Sequence, residues 1–435
     1  MAIFHGGSLL IIRDKKYLPL VAIGAALLLV VAIAPAVAQT TSLEQLKQEV
    51  GRELYFDVTL SQPTGQSCAS CHDPEFGFVD PDAELPVSEG VLPNMFGGRN
   101  SPSAAYAMFA PILYFDEDEG LYIGGQFWDG RATGEVLGDP LADQALGPFL
   151  NPVEMANPSK RLVIRDVANS PYRALFEAAW PGTDLSNWSL MSDAEIEEAY
   201  DQVALSIAAF ERTELFAPFS SKYDAFLEAC LGLGEKPAKC AVGSGPKAER
   251  AAAMVGYTEL EWDGLQLFMG ENDNDGKLKN NEGAMCAACH VADWTVDPGN
   301  VIVPAWAPEG MVPPMFTDFT FDNLGVPKNL AYPFDPNAPV DLGLGPIVGD
   351  PEENGKFKVM TLRNIGLTEP YAHNGFFLTL KEITNFYNTR DVAGWPEPEY
   401  PATVNFDELG NLGLSDADED ALVAFMKTLD DGYQP

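Results

Sequence analysis

Histidine is nearly absent from this chain. Four occur in 435 residues, His5, His72, His290 and His373, and none lies between positions 73 and 289. Basic side chains are also few: 26 Lys and Arg stand against 64 Asp and Glu, a formal net charge of −38. Such a surface repels nucleic acid and anionic membranes. It suits a basic protein partner or, equally, a solvated surface in a salt-adapted organism, because charge alone names no partner. Long apolar runs are confined to Leu18–Ala34, which follows Arg13, Lys15 and Lys16 and precedes Ala36-Val37-Ala38. That order reads as a secretory signal peptide, residues 1–38, cleaved after Ala38 and exporting the protein to the periplasm; the alternative is an uncleaved anchor. Cleavage leaves a net charge of about −40 and no further run long enough to span a membrane.

Cysteine is scarce and paired: Cys68/Cys71, Cys230/Cys240 and Cys286/Cys289. The first and third pairs run directly into histidine, as "CASCH" (68–72) and "CAACH" (286–290). C-x-x-C-H is the attachment signal for c-type haem, in which the two thiols add to the vinyl groups and the histidine becomes the proximal iron ligand. One copy has rivals in a zinc site or a redox dithiol, but two copies on an exported chain argue against both. Two covalent haems c are therefore expected, on Cys68, Cys71 and His72 and on Cys286, Cys289 and His290. In "CLGLGEKPAKC" the remaining pair, Cys230 and Cys240, closes a short loop and reads as a structural disulfide. With two histidines proximal, His373 alone is left as a distal candidate, so at most one iron can be bis-histidine.

Three amphipathic helices are expected. One opens at Ser42 with Gln45 at capping-box spacing and carries Leu43, Leu46, Val50 and Leu54 on one face. Another is capped by Ser192 against Glu195, with Ile196, Tyr200, Val203, Ile207 and Phe210 as its stripe. The last starts at Ser415 and buries Leu422, Phe425, Met426 and Leu429. "GRELYF" (51–56) precedes the first haem motif as "GLQLFM" (264–269) precedes the second, which suggests an internal duplication. The expected fold is mostly α: two cytochrome c-like haem domains, 39–245 and 246–435, with long irregular loops at 81–102 and 296–350. "ENDNDGKLKNNE" (271–282) has the EF-hand acids Asp273, Asp275 and Glu282, with Gly276 and Leu278 in place. Glu271 stands where a shorter Asp is usual, so calcium and a plain acidic loop both stay open.

Taken together, "CASCHDP", "GGRNSPS" (97–103), "QFWDGRA" (126–132), "QALGPFLNPVEM" (144–155), "AAFERTE" (208–214), "CAACH" and "TLRNIGLTEPYAHNGFFLTLKEITNFYN" (361–388) resemble the bacterial di-haem cytochrome c peroxidases and their MauG-type relatives. The resemblance runs over nearly all of the chain after residue 38. It implies a peroxide site at the N-terminal haem and an electron-transfer haem at the C-terminal one, with Trp128 relaying between them. It further implies Gln144 and Glu154 as the distal pair, with Pro148 in the pocket wall, and a calcium ion held by Asn100, Thr368 and Pro370. His373 is implied near a haem edge, closer to a propionate than to iron.

Two departures from the peroxidase branch matter. Those enzymes carry a distal histidine about one loop after the first motif; here "PVSEGVLPN" (86–94) fills that loop, with Val91 near the histidine's place. The first iron is then expected to be open, unless Met95 or Met108 caps it. At the second haem Tyr387 stands where the peroxidases have a methionine, as in MauG-type enzymes. The alternative is that Tyr387 only packs and Met360 or Met426 ligates.

The leading expectation is thus an exported MauG-type enzyme that reacts with hydrogen peroxide and oxidises a protein donor or protein substrate. One rival is a peroxidase fed by a small cytochrome or copper protein. The other is a di-haem electron carrier with no catalysis. "PILYFDEDEGLYIGG" (111–125) departs from both enzyme branches.

Overall fold

The computed structural model describes residues 41–278 and 282–434, so the expected signal segment and part of the 271–282 loop lie outside it. Among the described residues there are twelve α-helices. They are α1 (Leu43–Phe56), α2 (Pro140–Ala145), α3 (Lys160–Asn169), α4 (Arg173–Ala179), α5 (Asp193–Glu211), α6 (Lys222–Gly232), α7 (Pro237–Ala241), α8 (Pro246–Met254), α9 (Glu259–Met269), α10 (Gly345–Val348), α11 (Leu380–Thr389) and α12 (Asp416–Met426). Six short strands form three antiparallel pairs: β1 (Tyr114–Asp116) with β2 (Leu121–Ile123), β3 (Thr295–Val296) with β4 (Met311–Val312), and β5 (Phe321–Asp322) with β6 (Phe357–Lys358). The mostly helical expectation holds. No helix among the described residues is long and apolar enough to cross a membrane.

The three anticipated helices form where their caps place them. Ser42, Ser192 and Ser415 each accept from the backbone of the third residue on, and that residue's side chain returns the bond. Their stripes are buried except at the start of α1, where Leu43 is 52% exposed and Leu46 is half-buried. Helix α1 is covered where it crosses α5 at Gly51, about two turns beyond Leu43.

That crossing has a counterpart. A Cβ on Gly51 would collide with Ser206 O and Phe210 Cβ of α5, and one on Gly264 of α9 with Ala421 O and Phe425 Cβ of α12. Glycine is required at both because the backbones touch. Beside each crossing an aromatic pair packs edge-on, Tyr55–Phe210 at 5.5 Å and Phe268–Phe425 at 5.2 Å. The duplication suggested by "GRELYF" and "GLQLFM" is thus visible as the same helix crossing made twice, each just before a C-x-x-C-H turn.

Two hydrophobic clusters form within residues 41–435. One core runs from Val50 to Phe219 and takes in Val312 and Met315; the other begins at Tyr223 and ends at Leu429. The Gly/Ser/Pro run near 245 is only the turn between α7 and α8, both of which join the second core. The Cys230–Cys240 disulfide is present and ties α6 to α7.

Arg363 joins the two cores and is fully buried. Its Nη1 donates to both oxygens of Asp224, at 2.8 and 2.7 Å, while Nε and Nη2 donate to Pro314 O. Around the guanidinium stand Tyr106 and Phe219 of the first core and Tyr223 and Phe316 of the second, all within 5.9 Å. Substituting one partner strands a buried charge, so Arg363→Met is expected to destabilise the fold by about 3–5 kcal/mol. Arg363→Met combined with Asp224→Leu should recover most of that loss in chemical denaturation, whereas additive losses would contradict the assignment.

Candidate functional site

Two cavities of similar extent, about 1830 and 1860 Å³ counted out to open solvent, lie one in each half. Cys68, Cys71, His72, Trp128, Gln144, Pro148 and Glu154 line the first. Cys286, Cys289, His290, Tyr387, His373, Thr368 and Pro370 line the second. Trp128 and Asn100 line both. The cysteines, histidines, Tyr387, Trp128, Gln144 and Glu154 anticipated for the two haem sites therefore reach one cavity or the wall between them.

The two cysteine motifs adopt the same local structure. Each starts a single 3₁₀ turn, and the histidine N–H returns to the first cysteine carbonyl at 3.0 Å. His72 Nδ1 lies 3.1 Å from Phe78 O and His290 Nδ1 lies 2.9 Å from Phe316 O. A carbonyl only accepts, so Nδ1 carries the proton and the Nε2 lone pair is left for a metal. Burial also holds both imidazoles neutral. The four motif cysteines are free, although the third pair is bonded. Burial pushes their thiols up, Cys71 to about 12, so they stay protonated in the cavity walls. Free thiols beside a preset imidazole in a large apolar-walled cavity fit the expected haem groups.

In the first cavity Glu154 Oε1 accepts from Asn151 Nδ2 at 2.7 Å. Burial raises the Glu154 carboxyl above its ordinary value, with Arg131 opposing. Gln144 sits on α2, whose N-cap Asp139 is paired with Arg212 of the α5 end. The stretch before Gln144 is pinned to α2 because Asp143 accepts from the backbone N–H of Gly134, Val136 and Leu137. Val91 does not line this cavity. Its N–H donates to Glu154 O at 2.9 Å, and Gly90 backs so closely on Val153 O that no Cβ would fit. Met95 and Met108 are not at the cavity either: one is 36% exposed and the other lies in the first core. A different methionine, Met155, lines it.

Met360 and Met426 line the second cavity with Tyr387. Burial pushes the Tyr387 phenol far up, so only a strong positive charge at the oxygen would ionise it. Two asparagines tie the loop from Glu271 to Leu278 to the rest of the chain. Asn272 donates to Gly283 O and Leu412 O, and Asn274 donates to Phe406 O and Leu409 O. Asn100 Nδ2 donates to Pro86 O, which leaves the amide oxygen as the end available to a hard cation.

The wall between the cavities is aromatic. Trp128 Nε1 donates to Asn100 O at 2.9 Å, and its ring meets His373 edge-on at 6.5 Å. His373 stacks on Phe357 at 3.5 Å and 7°, and its Nε2 is buried without a partner. Sequence reasoning missed several members. Phe357 and Arg99, the latter paired with Asp129 and Asp341, complete the stack. Lys358 is buried, donates to Gly125 O and is lowered to about 7 by burial. Glu211 is buried beside the first cavity, has one unpartnered oxygen and is raised to about 8. Glu211 stands in the quoted "AAFERTE", but no spacing rule marked it; only burial does.

A family model described as di-haem cytochrome c peroxidase matches residues 45–230. The methylamine utilization protein MauG of Paracoccus denitrificans is 33% identical over 94% of this chain and 95% of its own length. Cytochrome c551 peroxidase of Nitrosomonas europaea is 28% identical over 89% of this chain and 80% of its own. Among solved structures, the diheme peroxidase BthA from Burkholderia thailandensis superposes with a TM-score of 0.69 at 28% identity. That match covers 90% of this chain and 87% of the other.

Burial lowers His373 from its ordinary 6.5 to about 3. Between those values the unfolded chain binds a proton that the folded chain refuses, so stability falls as pH falls through this window. At pH 5 the cost is about 2 kcal/mol. Unfolding midpoints measured from pH 7 to pH 4 should drop less steeply in His373→Gln than in the parent; parallel curves would disprove the assignment.

Proposed function

The chain belongs to the di-haem cytochrome c peroxidase family, a peroxidase-type oxidoreductase with two haems, and from that premise we propose that it is the MauG-type member of its family. In this reading it is exported to the periplasm after loss of residues 1–38. Each half of the chain holds one haem: Cys68 and Cys71 attach one covalently, and Cys286 and Cys289 the other. His72, His290 and Tyr387 are iron ligands, while Asn100, Thr368 and Pro370 hold a calcium ion through oxygen atoms. The observation that carries the reading is Trp128, which alone among the aromatic residues lines both cavities, with Glu154 and Gln144 facing the one that has no second histidine.

Bound haem iron supplies the centre at which the oxygen–oxygen bond of hydrogen peroxide is cleaved and from which electrons are drawn. Two electrons and two protons convert the peroxide to two waters. Glu154, raised by burial, takes a proton from one peroxide oxygen and returns it to the other. Asn151 fixes the carboxylate's orientation, and Gln144 presents an amide to the same space. The backbone bond from Val91 to Glu154 O keeps that carboxylate in register with the cavity. Trp128, anchored through Nε1 to Asn100 O, carries electrons between the cavities. A protein donor or protein substrate supplies them.

The test is low-temperature EPR of the ferric, haem-loaded protein. One high-spin and one low-spin signal are expected, both bleached by peroxide with no reductant added; two low-spin signals would sink the reading in favour of a reductively activated peroxidase or a carrier. Glu154→Gln should slow the peroxide reaction by about 10²–10⁴-fold. The parent rate should rise with pH through a value above the ordinary carboxylate range, because only the ionised carboxylate accepts a proton. That rise should vanish in Glu154→Gln. Trp128→Phe should keep the reaction at the first site yet leave the second signal unbleached by peroxide.

A further inference from the structure

Shortly before Trp128 the chain forms a two-stranded ribbon, β1 and β2, in the segment that departs from the family pattern. Among the described residues no third strand pairs with it. Tyr114, Phe115 and Leu121 are 46%, 47% and 37% exposed, and Ile112 at the foot is 45% exposed. The register sets Tyr114 opposite Ile123, Phe115 opposite Tyr122 and Asp116 opposite Leu121, so both faces present large apolar groups. Phe115 and Tyr122 lean together at 4.9 Å. An exposed apolar residue standing alone needs no explanation, but a cluster on an isolated ribbon does.

The foot of this ribbon is rigid. Gly124 N–H donates to Phe319 O at 2.9 Å, Gly125 N–H to Pro111 O at 2.8 Å, and the Lys358 ammonium to Gly125 O. Gly124 has φ +99°, and a Cβ there would lie 2.5 Å from Pro111 O. Three residues beyond Gly125 is Trp128, whose loop is closed by a bridge between Gln126 and Ala132. The tip is Asp116-Glu117-Asp118-Glu119, and positions 111–125 contain no Lys or Arg.

We propose that the ribbon is the docking element for a protein partner whose contact patch is apolar at its centre and rimmed by Lys and Arg, seated over the foot that leads to Trp128. The proposal rests on the reading that a protein exchanges electrons through Trp128, and it adds where that protein sits and what its surface is like. Exposed aromatic side chains on a fixed support are the groups that carry binding energy at interfaces. The acidic tip selects for charge and speeds encounter. A second copy of this chain is the wrong occupant, because it would bring the same acidic tip and the same −38 formal charge.

The experiment uses the haem-loaded enzyme with a small basic c-type cytochrome as probe and an acidic c-type cytochrome as contrast. Affinity is measured by titration calorimetry, and steady-state oxidation is followed alongside. Tyr114→Ser with Phe115→Ser, and separately Asp116→Asn, Glu117→Gln, Asp118→Asn and Glu119→Gln together, should each weaken binding of the basic probe by about tenfold or more. Both should leave kcat at saturation and the partner-free peroxide bleaching as in the parent. As a charge-matched control, Glu228→Gln, Glu249→Gln, Glu259→Gln and Asp263→Asn, all exposed on α6, α8 and α9, should change affinity by less than about threefold. Equal losses in the control and ribbon variants would overturn the proposal. So would a parent enzyme that binds the acidic probe as well as the basic one, or ribbon-dependent self-association. Loss of partner-free bleaching in the parent would instead count against the functional reading, with the docking still judged by affinity.

Discussion

The arrangement depends on one buried charge. Arg363 has no contact with solvent, so its guanidinium is tolerable only because Asp224 and Pro314 O take its donors and four rings close around it. Those rings come from both cores. Satisfying Arg363 therefore sets how the two halves meet, and with that how far apart the two cavities lie. From Arg363 the chain runs directly into Thr368, Pro370 and His373, which form a wall of the second cavity. A salt link of this kind adds little net stability over a hydrophobic substitute, but it penalises any other relative placement of the halves.

Behind that link the shared wall is kept neutral and rigid. His373 is pressed flat on Phe357 and is forced by burial to stay uncharged. Arg99 lies over the other partner of the stack, and its charge is answered by Asp129 and Asp341. Trp128 is held at both ends of its peptide unit's surroundings: its indole donates to Asn100 O, and Lys358 N–H donates to its carbonyl. An aromatic wall with this many constraints is held in one arrangement.

The loop at 86–94 shows how one segment can exchange roles. Where the peroxidase pattern has a histidine, this chain has backbone packed against backbone: Gly90 on Val153 and Val91 on Glu154. The segment has no histidine to offer, and it braces the backbone of Glu154, whose carboxylate faces the same cavity.

Much of this was legible without coordinates because it rests on local chemistry. C-x-x-C-H spacing, capping boxes at Ser42, Ser192 and Ser415, and the scarcity of histidine all act over a few residues or by count alone. They marked out the two cysteine-histidine motifs and the helical class. Long-range burial was not legible. Nothing local distinguishes Lys358, Glu211 or Arg363 from surface charges, and Leu43 fits its stripe yet lies open to water. The ribbon at 114–123 carries too short an alternation to announce itself, and nothing in the glycine run near 245 shows that it is the turn between α7 and α8. Those features are decided by which distant segments pack against each other, since burial and partnership belong to pairs of residues far apart in sequence. The sequence by itself determined which groups could hold cofactors; the tertiary structure decided which side chains share a cavity, which are forced neutral, and that Trp128 stands between the two.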